Sequence, residues 1–501
     1  MTLNNKVKNI DHISSQIVGN FALCYGHFNL THPGHLRYLQ QAKGLEKTLV
    51  VAVKSDESLD AESFGQHFSE TERAESLAHL EIVSHVVILD KHGLGKLIKI
   101  LKPSVLVLGR EFENQNNKEI ELAISEAKKF GRVVFHAGET SYASTHLLHH
   151  NVSDIESRNI SRFRNICKIN KITYKKLQNK IKIFSDSKLL VIGDTIVDNY
   201  VACDAVGMSA EAPVLVVKQL DSREFIGGAA IVASHVKALG SECHFISVVG
   251  DDKVSSNLEK ILSVRGIHSN LIVDSSRPTT YKTRFMVENQ KLFRVSKIKD
   301  HAISETIESM VIKKLQDLAP KIDGILVSDF VYGVITPGIL TEIYNLASKY
   351  NLKLFGDLQC SSQVGKVTKF KNFDLITPTE KEARIALDDN ENGLEWLANE
   401  LIDKTKAKNL LMKLGSDGFI AYGGINSGVK QNFPSLISNP VDVAGAGDSL
   451  FAAMAVALTS NATLIEASAI GSCMASLAIQ ELGNIPITHE KLDGCIQKIL
   501  S

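Results

Sequence analysis

The sequence has few cysteines, and they are widely scattered. Seven cysteines are spread over 501 residues without a C-x-x-C pair. Such a pair would indicate a structural zinc site or a redox motif. Scattered thiols are typical of a reducing compartment, so the sequence predicts a cytoplasmic protein.

Net charge and long apolar runs are also absent. The 56 Lys and Arg residues balance the 56 Asp and Glu residues, and a neutral chain has no overall attraction to nucleic acid or to anionic membranes. The longest apolar stretch, near residues 450–458, is too short to cross a bilayer. The first residues lack the basic, apolar and small-residue order of a signal peptide. We therefore expect neither a nucleic-acid partner nor a membrane partner.

Proline is scarce too, with ten residues, while 44% of the chain is hydrophobic and 22% is charged. This composition is that of an ordinary globular protein. At about 150 residues per domain, the length corresponds to roughly three domain equivalents or to two larger domains. The composition and the length together exclude a disordered chain and disfavour one compact core.

The order of apolar runs predicts two α/β domains. Short runs rich in branched residues alternate with helical patterns from Phe21 to about Phe135, and again after Ser187, which favours β-α-β units and parallel sheets. The stretches TTYKTRFMV and KLFRVSKI predict a β-rich insertion in the second domain. We expect domains at residues 1–150 and 186–501, with a basic linker and an entry helix at residues 151–185.

That linker contains nine basic residues and no Asp or Glu between Arg158 and Lys182. A run of this kind is either a solvated linker or helix that lies on a domain, or a docking surface for nucleic acid or phosphate. The first interpretation is favoured because the chain as a whole is neutral.

The first candidate site is the string GHFNLTHPGH at residues 26–35, directly after the predicted strand FALCY. Ligands of open α/β sheets bind beyond the carboxyl ends of the strands, and a phosphate binds well at a helix N-terminus. His32 and His35 could both donate to phosphoryl oxygens and stabilise charge at an α-phosphate under attack. An H-x-x-H pair taken alone could equally bind a metal.

The full string resembles the G-x-F-D-x-x-H-x-G-H motif of cytidylyltransferase-like nucleotidyltransferases, and the likeness extends over about 125 residues. This resemblance implies a Rossmann-like fold and a reaction that joins a phosphorylated small molecule to a nucleotide and releases pyrophosphate. The residues that it assigns to the nucleotide site are Gly26, Phe28, Arg73, Gly109, Ser144 and Thr145. Ser144 and Thr145 could instead be a helix N-cap, or serve both purposes.

Two positions depart from that family's pattern. Asn29 stands where the family usually has Asp, and the loop between Asp56 and Glu72 contains no lysine. The loss of one charge donor to a transition state slows a reaction about 10²- to 10³-fold. A second hypothesis therefore keeps this half as a binding or regulatory module without its own chemistry.

The second candidate site is the string DVAGAGDS at residues 442–449, just before an apolar helical stretch. The small residues Gly445, Ala446 and Gly447 allow close approach of a ligand, and the helix start offers N–H groups to a transferring phosphoryl group. Asp448 would accept the proton of a sugar hydroxyl as that hydroxyl attacks the γ-phosphate of ATP.

A further signature lies about 220 residues earlier, with GDTIVD at residues 193–198 and GGAA at residues 227–230. Together the two signatures resemble ribokinase-like sugar kinases. The order of VIGDTIVDNY, AEAPVLVVKQ, FIGGAA and VSDFVYG resembles, more narrowly, the heptose 7-phosphate kinase half of the bifunctional ADP-heptose synthesis family. In that family the kinase half comes first, whereas here the halves are in the reverse order.

This resemblance implies a ribokinase-like fold with a β-rich lid, a sugar phosphate and ATP as substrates, and Mg²⁺ as cofactor. Residues carried over to the sugar are Asp194, Asp198, Gly227 and Gly228; those near ATP are Lys413, Gly415 and Gly418; Glu382 is carried over to Mg²⁺. It also leaves open a homodimer formed through the lid. Asp194 could equally be structural and bond a turn.

Strand alternation places Lys282 and Arg284 on one face, as a phosphate clamp requires, although a solvated strand face would show the same spacing. Departures occur here as well: they are Ile231 after GGAA, Gln359 in place of the Lys of D-P-K, Thr379 in place of the Asn of T-P-N, and Ala444 in place of a frequent Thr. Because catalysis of phosphoryl transfer rests on positioning and electrostatics, we expect these changes to alter the choice of sugar more than the reaction.

Overall fold

The computed structural model describes residues 6–8, 13, 17, 19–29, 31, 33–58, 68–89, 93–109, 118–135, 152–212, 214–287, 290–360, 363–389, 392–425 and 427–501. The chain forms two compact units. One consists of the described residues of 1–151 with residues 389–397, and the other of residues 152–388 and 398–501. Among the described residues, no helix is both long enough and apolar enough to cross a membrane.

The smaller unit is built on a parallel six-stranded sheet. Its strands are β1 Val7–Lys8, β2 Phe21–Gly26, β3 Thr48–Val53, β4 His85–Ile88, β5 Val105–Leu108 and β6 Arg132–Phe135. They lie in the order β1-β4-β3-β2-β5-β6. The helices between them are Pro33–Leu45, Glu70–Ala78, Gly93–Leu101 and Lys118–Ala127.

Both faces of this sheet are covered, because alternate residues of each central strand join opposite cores. Leu23 and Tyr25 of β2 belong to one apolar cluster, and Ala22 and Cys24 belong to the other. Strands that are buried on both faces read as continuous apolar runs, and this is why TLVVAV and VLVLG were recognisable. The predicted β-α-β organisation is confirmed.

The remaining strands follow residue 187. They are β7 Lys188–Gly193, β8 Thr195–Met208, β9 Leu215–Gly228, β10 Glu242–Val249, β11 His268–Val273, β12 Tyr281–Val287, β13 Gln290–Lys297, β14 Gly324–Asp329, β15 Lys353–Leu358, β16 Leu375–Ile376, β17 Asn409–Lys413, β18 Phe419–Gly423 and β19 Lys430–Phe433. Nine of them form one sheet in the order β11-β10-β7-β14-β15-β16-β17-β18-β19. The pairs from β11 to β17 are parallel, and β18 and β19 pair antiparallel.

The helices after residue 151 are Val152–Ile169, Tyr174–Lys182, Ala229–Ala238, Lys253–Val264, Glu305–Leu318, Pro337–Tyr350, Glu380–Leu387, Leu394–Thr405, Ala446–Thr459, Leu464–Ala478 and His489–Leu500. The helices Ala446–Thr459 and Leu464–Ala478 are buried along most of their length. They pack with Ala229–Ala238 in the main core of the larger unit. The helical stretch predicted from residue 446 onward is confirmed as three helices.

The β-rich insertion is a separate four-stranded sheet, the lid, in the order β13-β12-β8-β9. Strands β8 and β9 pair antiparallel over most of their length, and β12 lies parallel to β8. Beyond Cys203 the strand β8 is exposed on both faces, whereas its first residues are buried. The lid therefore begins at the main sheet and extends away from the core.

The basic run forms two helices, Val152–Ile169 and Tyr174–Lys182, which pack into the larger unit. Phe163, Leu177 and Phe184 are fully buried in its core. Lys176 forms an ion pair with the buried Glu466 at 2.7 Å. Part of the positive charge of the basic run is therefore neutralised by an ion pair within this unit.

Candidate active sites

The turn before helix Ala446–Thr459 has the geometry of an anion site. Gly445 is the N-cap of this helix in the left-handed conformation, with φ 77°. A Cβ at Gly445 would lie 2.2 Å from Asn484 Oδ1, so both the backbone and the neighbouring side chain require glycine. The first turn closes with the Ser449 N–H bond to Gly445 O at 2.9 Å. The N–H groups of residues 446–448, at the start of the helix, are of the kind that binds anions.

Asp448 lies in this first turn with its side chain buried. Gln359 Nε2 donates to Asp448 Oδ1 at 2.7 Å. Burial, followed by the nearby Asp357 carboxylate, raises the pKa of Asp448 to about 7, against the opposing effects of Lys413 and Gln359. A carboxyl with this pKa is suited to act as a general base near neutral pH.

Lys413 is the last residue of β17 and is buried. Its Nζ donates to Asp357 Oδ1 at 2.6 Å, and a Cβ at Gly447 would lie 3.5 Å from the same nitrogen. Burial alone would lower the pKa of Lys413, but the neighbouring carboxylates, Asp357 foremost, hold it above its usual value. The structure thus places a charged ammonium beside the turn at residues 445–447.

Glu382 is the third residue of helix Glu380–Leu387 and forms a capping box with Thr379. Its Oε2 accepts the Thr379 N–H at 2.7 Å, and its Oε1 accepts the Cys360 N–H at 3.2 Å. Each carboxylate oxygen can accept a second bond, so the carboxylate keeps capacity for a hydrated cation. Its role in organising Mg²⁺ stays a prediction.

Gly415 and Gly418 lie in the short turn between β17 and β18, both with positive φ. Gly418 lies against the backbone at Phe433 and Ser435. The turn comes directly after Lys413 in the chain, where a nucleotide-binding loop would lie. The contact of both glycines with ATP stays a prediction.

At the base of the lid, Asp198 forms an ion pair with Arg284. Gly227 lies against Asp198, because a Cβ there would be 2.6 Å from Asp198 Oδ2. Gly228 is the N-cap of helix Ala229–Ala238. The structure brings together these residues, which the sequence assigned to the sugar.

Lys282 shares a strand face with Arg284 and is 3% exposed. Its Nζ lies 5.1 Å from the ring centre of Tyr332 and 5.9 Å from that of Phe330. A buried ammonium held by aromatic rings is not a solvated strand face. The solvated-face alternative therefore does not hold for Lys282, and the contact of Lys282 and Arg284 with a phosphate stays a prediction.

Asp194 is buried and accepts three backbone N–H bonds from the turn after β14. Its donors are Phe330 and Tyr332, both to Oδ2, and Val334, to Oδ1. Burial raises the pKa of Asp194 to about 7, with Asp329 the next cause. Its carboxylate fixes a turn, though not the one after its own strand, and its contact with sugar stays a prediction.

In the smaller unit, β2 ends at Gly26, and Phe28 follows in the left-handed region with φ 52°. That conformation is uncommon for a bulky residue and is typical of functional turns. The Phe28 ring is buried and lies 4.9 Å from the ring of His35, while a Cβ at Gly26 would lie 2.9 Å from the Phe28 ring. The strained turn thus places the Phe28 ring against His35 at the carboxyl end of β2, and the contact of Phe28 with the nucleotide stays a prediction.

Arg73 is buried with no exposed side-chain surface. Its guanidinium donates to the carbonyls of His27 at 2.6 Å, Lys54 at 2.8 Å and Phe68 at 3.0 Å. It also forms an ion pair with Asp56 at 2.6 Å. In this structure Arg73 joins three loops at the strand ends, and its contact with nucleotide phosphate stays a prediction.

The remaining predicted residues of this site divide by position. Gly109 directly follows β5 and is buried, at the same sheet edge as Gly26. His32, Ser144 and Thr145 lie outside the described residues. Asn29 is buried, and its Oδ1 accepts the Phe68 N–H at 2.8 Å.

Sequence reasoning missed two residues of the kinase site. Asp357 contacts Gln359, Thr377 and Lys413, and its signals were its place at the end of the apolar strand LKLFGD and at the Asp position of the D-P-K motif. Asn484, whose Nδ2 donates to Asp198 at 3.4 Å, had no recognisable signal, because it follows Asp198 by 286 residues.

Comparison with known proteins identifies both folds. The pattern of the pfkB family carbohydrate kinases matches residues 186–491. The chain belongs to the pfkB family of carbohydrate kinases. The cytidylyltransferase-like pattern matches residues 23–161, so the pfkB kinase follows a nucleotidyltransferase fold within one chain, in the order that the sequence predicted.

The relatives of this pfkB family member include bifunctional proteins. It is 33% identical over 318 residues to the bifunctional protein HldE of Campylobacter fetus, which covers 62% of this chain and 66% of that protein. It is 32% identical to HldE of Aliarcobacter butzleri, over 61% of this chain and 63% of the relative. The chain thus spans just under two thirds of the length of these relatives.

Solved structures agree on the kinase fold. Phosphofructokinase-2 from Escherichia coli, in complex with substrates and products, superposes with a TM-score of 0.53 and 17% identity, over 62% of this chain and 99% of that chain. Arabidopsis thaliana ribokinase complexed with ribose and ATP superposes with a TM-score of 0.50 and 18% identity, over 62% of this chain and 99% of that chain. At these identities the likeness shows the ribokinase-like fold alone.

Proposed function

We propose that the chain is a bifunctional enzyme that activates a sugar phosphate in two steps. The larger unit phosphorylates the anomeric oxygen of a heptose 7-phosphate with ATP. The smaller unit then couples the resulting sugar 1-phosphate to a nucleotide and releases pyrophosphate, giving a product such as ADP-heptose. The observation that carries the proposal is Asp448, a buried base at the mouth of a helix in a pfkB kinase fold.

In the kinase step, Asp448 takes the proton of the anomeric hydroxyl as its oxygen attacks the γ-phosphate. The N–H groups at the start of helix Ala446–Thr459 and the ammonium of Lys413 stabilise the charge on the transferring group. Lys282 and Arg284 hold the phosphate that the sugar already carries. In this proposal Lys413 neutralises the transferring phosphoryl group, Lys282 and Arg284 neutralise the phosphate of the sugar, and Asp448 acts on the hydroxyl that attacks.

ATP and Mg²⁺ fit the residues present. Mg²⁺ in kinase sites is bound through one or two carboxylates, substrate phosphates and several waters, and Glu382 offers a carboxylate with free acceptor capacity. When bound to the nucleotide, the metal neutralises charge on the β- and γ-phosphates. Among the described residues, no group of three or more His, Cys, Asp or Glu side chains is placed to hold a metal ion.

In the second step, His35 donates to the α-phosphate as the sugar phosphate attacks it. Asn29 does not weaken this assignment, because its Oδ1 accepts the Phe68 N–H as a carboxylate oxygen would. The half with the departures from its family pattern thus retains the strained turn, the histidine and the loop contacts of a functional site.

The test is to incubate the full-length chain with a heptose 7-phosphate, ATP and Mg²⁺, and to measure ADP and pyrophosphate separately. We expect both products. Asp448→Asn should abolish ADP, with the exposed Asp403→Asn as its control, and His35→Ala should abolish pyrophosphate only, with His79→Ala as its control. No ADP from any sugar phosphate would refute the kinase assignment, and undiminished pyrophosphate from His35→Ala would refute the second step.

We also infer that a second copy of the chain covers the lid. Large apolar side chains of β8, β9 and β13 are between 49% and 64% exposed: Val206, Met208, Leu215, Leu220, Phe293 and Val295. Exposed apolar side chains in such number mark an interaction surface. Because every copy of the chain carries the same surface, two copies can pair through it about a two-fold axis. Sedimentation should show a dimer that Leu220→Lys converts to a monomer, while Val264→Lys on an exposed helix should leave the dimer intact.

A further inference from the structure

The side-chain amide of Gln359 lies between two buried carboxylates of the kinase site. Its Nε2 donates to Asp448 Oδ1 at 2.7 Å and to Asp357 Oδ2 at 3.1 Å. Gln359 directly follows β15, and its backbone N–H is held by Asp329 O at 2.8 Å. The amide is thus anchored at its backbone and uses a single nitrogen, which has two hydrogens, for both carboxylates.

Asp357 is itself fixed by other donors. Its Oδ1 accepts bonds from Lys413 Nζ and Thr377 Oγ1, each at 2.6 Å. Gln359 therefore ties Asp448 to a rigid group rather than to a mobile one. The bond engages Oδ1 of Asp448 and so restricts the rotation of its carboxylate.

Charged groups from several elements act on Asp448. They are Asp357 of β15, Lys413 of β17, Asp198 of β8 and, through its coupling to Lys413, Glu382 of helix Glu380–Leu387. Two buried carboxylates that face each other resist ionising together. A donor shared between them relieves this repulsion, so the proton affinity of Asp448 depends on the Gln359 amide.

We propose that Gln359 is a positioning residue that orients Asp448 and sets the pH at which it becomes a base. This inference rests on the proposed kinase function. A D-P-K motif would place a cationic donor at this position, whereas this chain uses a neutral one. In this kinase the donor that sets the pH dependence of Asp448 is therefore a neutral amide rather than a lysine ammonium.

The experiment uses the full-length chain with Gln359→Met, which keeps the length and removes both donors, and Gln359→Lys, which supplies a cation. The matched control is Gln316→Met, at an exposed residue whose Nε2 donates to Glu342 at 2.8 Å. The rate of ADP formation is measured from pH 5.5 to 9. Equal urea-unfolding midpoints confirm that each variant is folded, and pyrophosphate formation from added sugar 1-phosphate confirms that the other half is unaffected.

We expect Gln359→Met to lower kcat about tenfold or more and to change the KM for ATP less than about threefold. The acid limb of the pH–rate profile, where the rate falls as Asp448 is protonated, should move to higher pH. Gln359→Lys should restore most of the rate and move the limb to lower pH. A Gln359→Met enzyme with unchanged kcat and an unmoved limb would overturn the inference, as would a change in KM alone.

A second measurement needs no substrate. The infrared carboxylate band that disappears in Asp448→Asn reports the titration of this one group, and its midpoint should rise in Gln359→Met. An unmoved midpoint would overturn the positioning role even if the chain phosphorylates no sugar. Absence of ADP from the unaltered chain would refute only the proposed function, so the two failures are distinguishable.

Discussion

Replacing Asp448 with asparagine should stop the kinase and also stabilise the protein at alkaline pH. Asparagine retains the oxygen that accepts the Gln359 bond but cannot take a proton from a hydroxyl. In the folded protein the pKa of Asp448 is raised from 3.8 to about 7 by burial and by Asp357. Because the folded state holds this proton more tightly than the unfolded chain does, the group favours folding while it is protonated and opposes folding once it ionises.

The magnitude follows from the two pKa values. Stability is lost as pH rises from 3.8 toward 7, at about 1.4 kcal/mol per pH unit. Relative to low pH, the loss of stability from this group is about 1.7 kcal/mol at pH 5, where only the unfolded chain has released the proton, and about 4.3 kcal/mol at pH 8. The asparagine variant has no such loss, so its advantage over the unaltered chain should grow by roughly 2.6 kcal/mol between those pH values.

The assay combines urea unfolding at pH 5 and pH 8 with rates of ADP formation. The unaltered enzyme should be about tenfold slower at pH 6 than at pH 8, because only about a tenth of Asp448 is ionised at pH 6. The variant should lose about 10²- to 10⁴-fold in rate at every pH. An equal stability gain at both pH values, or a flat pH profile in the unaltered enzyme, would refute the reasoning.

Three further changes test separate parts of the structure. Gly445→Ala places a Cβ 2.2 Å from Asn484 Oδ1 at φ 77° and should raise the KM for ATP and lower kcat at least tenfold; normal kinetics would show that the turn does not bind phosphate. Lys282→Met should raise the KM for the sugar phosphate about ten- to a hundredfold with kcat little changed, measured by initial rates. Both enzymes should use the unphosphorylated sugar equally, and a similar rise in the KM for the unphosphorylated sugar would contradict the clamp. His235 is buried with its pKa lowered from 6.5 to about 3, mainly by burial, so stability should fall by about 1.4 kcal/mol per pH unit below pH 6.5. His235→Asn keeps an acceptor for the Ile487 N–H and should show a shallower loss in urea unfolding; parallel pH profiles would contradict the assignment.

The fold was predictable because the central strands are apolar on both faces and the helices between them are amphipathic. The runs at β2, β3 and β5 needed no tertiary information. The edge strand β1 was not predicted, because its two residues are too few to form a pattern. The exposed ends of β8 and β9 were also hard to read, since residues exposed on both faces give no alternation.

The site was predictable where chemistry is concentrated in a short string, as at residues 445–448. It was not predictable where contacts are made across the fold. Arg73 fitted a family pattern, yet its burial among three carbonyls could be found only from the structure. Asp357 and Asn484 reach the site from distant strands and loops, and spacing along the chain contains no record of that approach.

The departures from the family patterns mostly preserve a hydrogen bond. Asn29 accepts the Phe68 N–H through an oxygen that aspartate would also offer. Thr379 caps helix Glu380–Leu387 through its hydroxyl, a position at which Asn serves equally well. Gln359 still donates to the Asp448 carboxylate. Each change therefore conserves the donor or acceptor on which the local geometry depends.

Ile231 and Ala444 are exceptions, because neither offers the polar side-chain group of the residue that it replaces. Ile231 is the one that bears on the sugar. It is fully buried in the apolar core of the larger unit, within helix Ala229–Ala238. An asparagine there could bond a sugar hydroxyl, whereas isoleucine offers no polar atom and leaves such a hydroxyl without a partner. A site that has lost one hydrogen bond to a substrate accepts analogues that lack the matching hydroxyl, because no buried polar group of the protein is then left unpaired. We therefore expect Ile231→Asn to narrow the range of sugar phosphates that the kinase accepts while leaving its base and anion site intact, and an unchanged range in a substrate panel would show that this position does not reach the sugar.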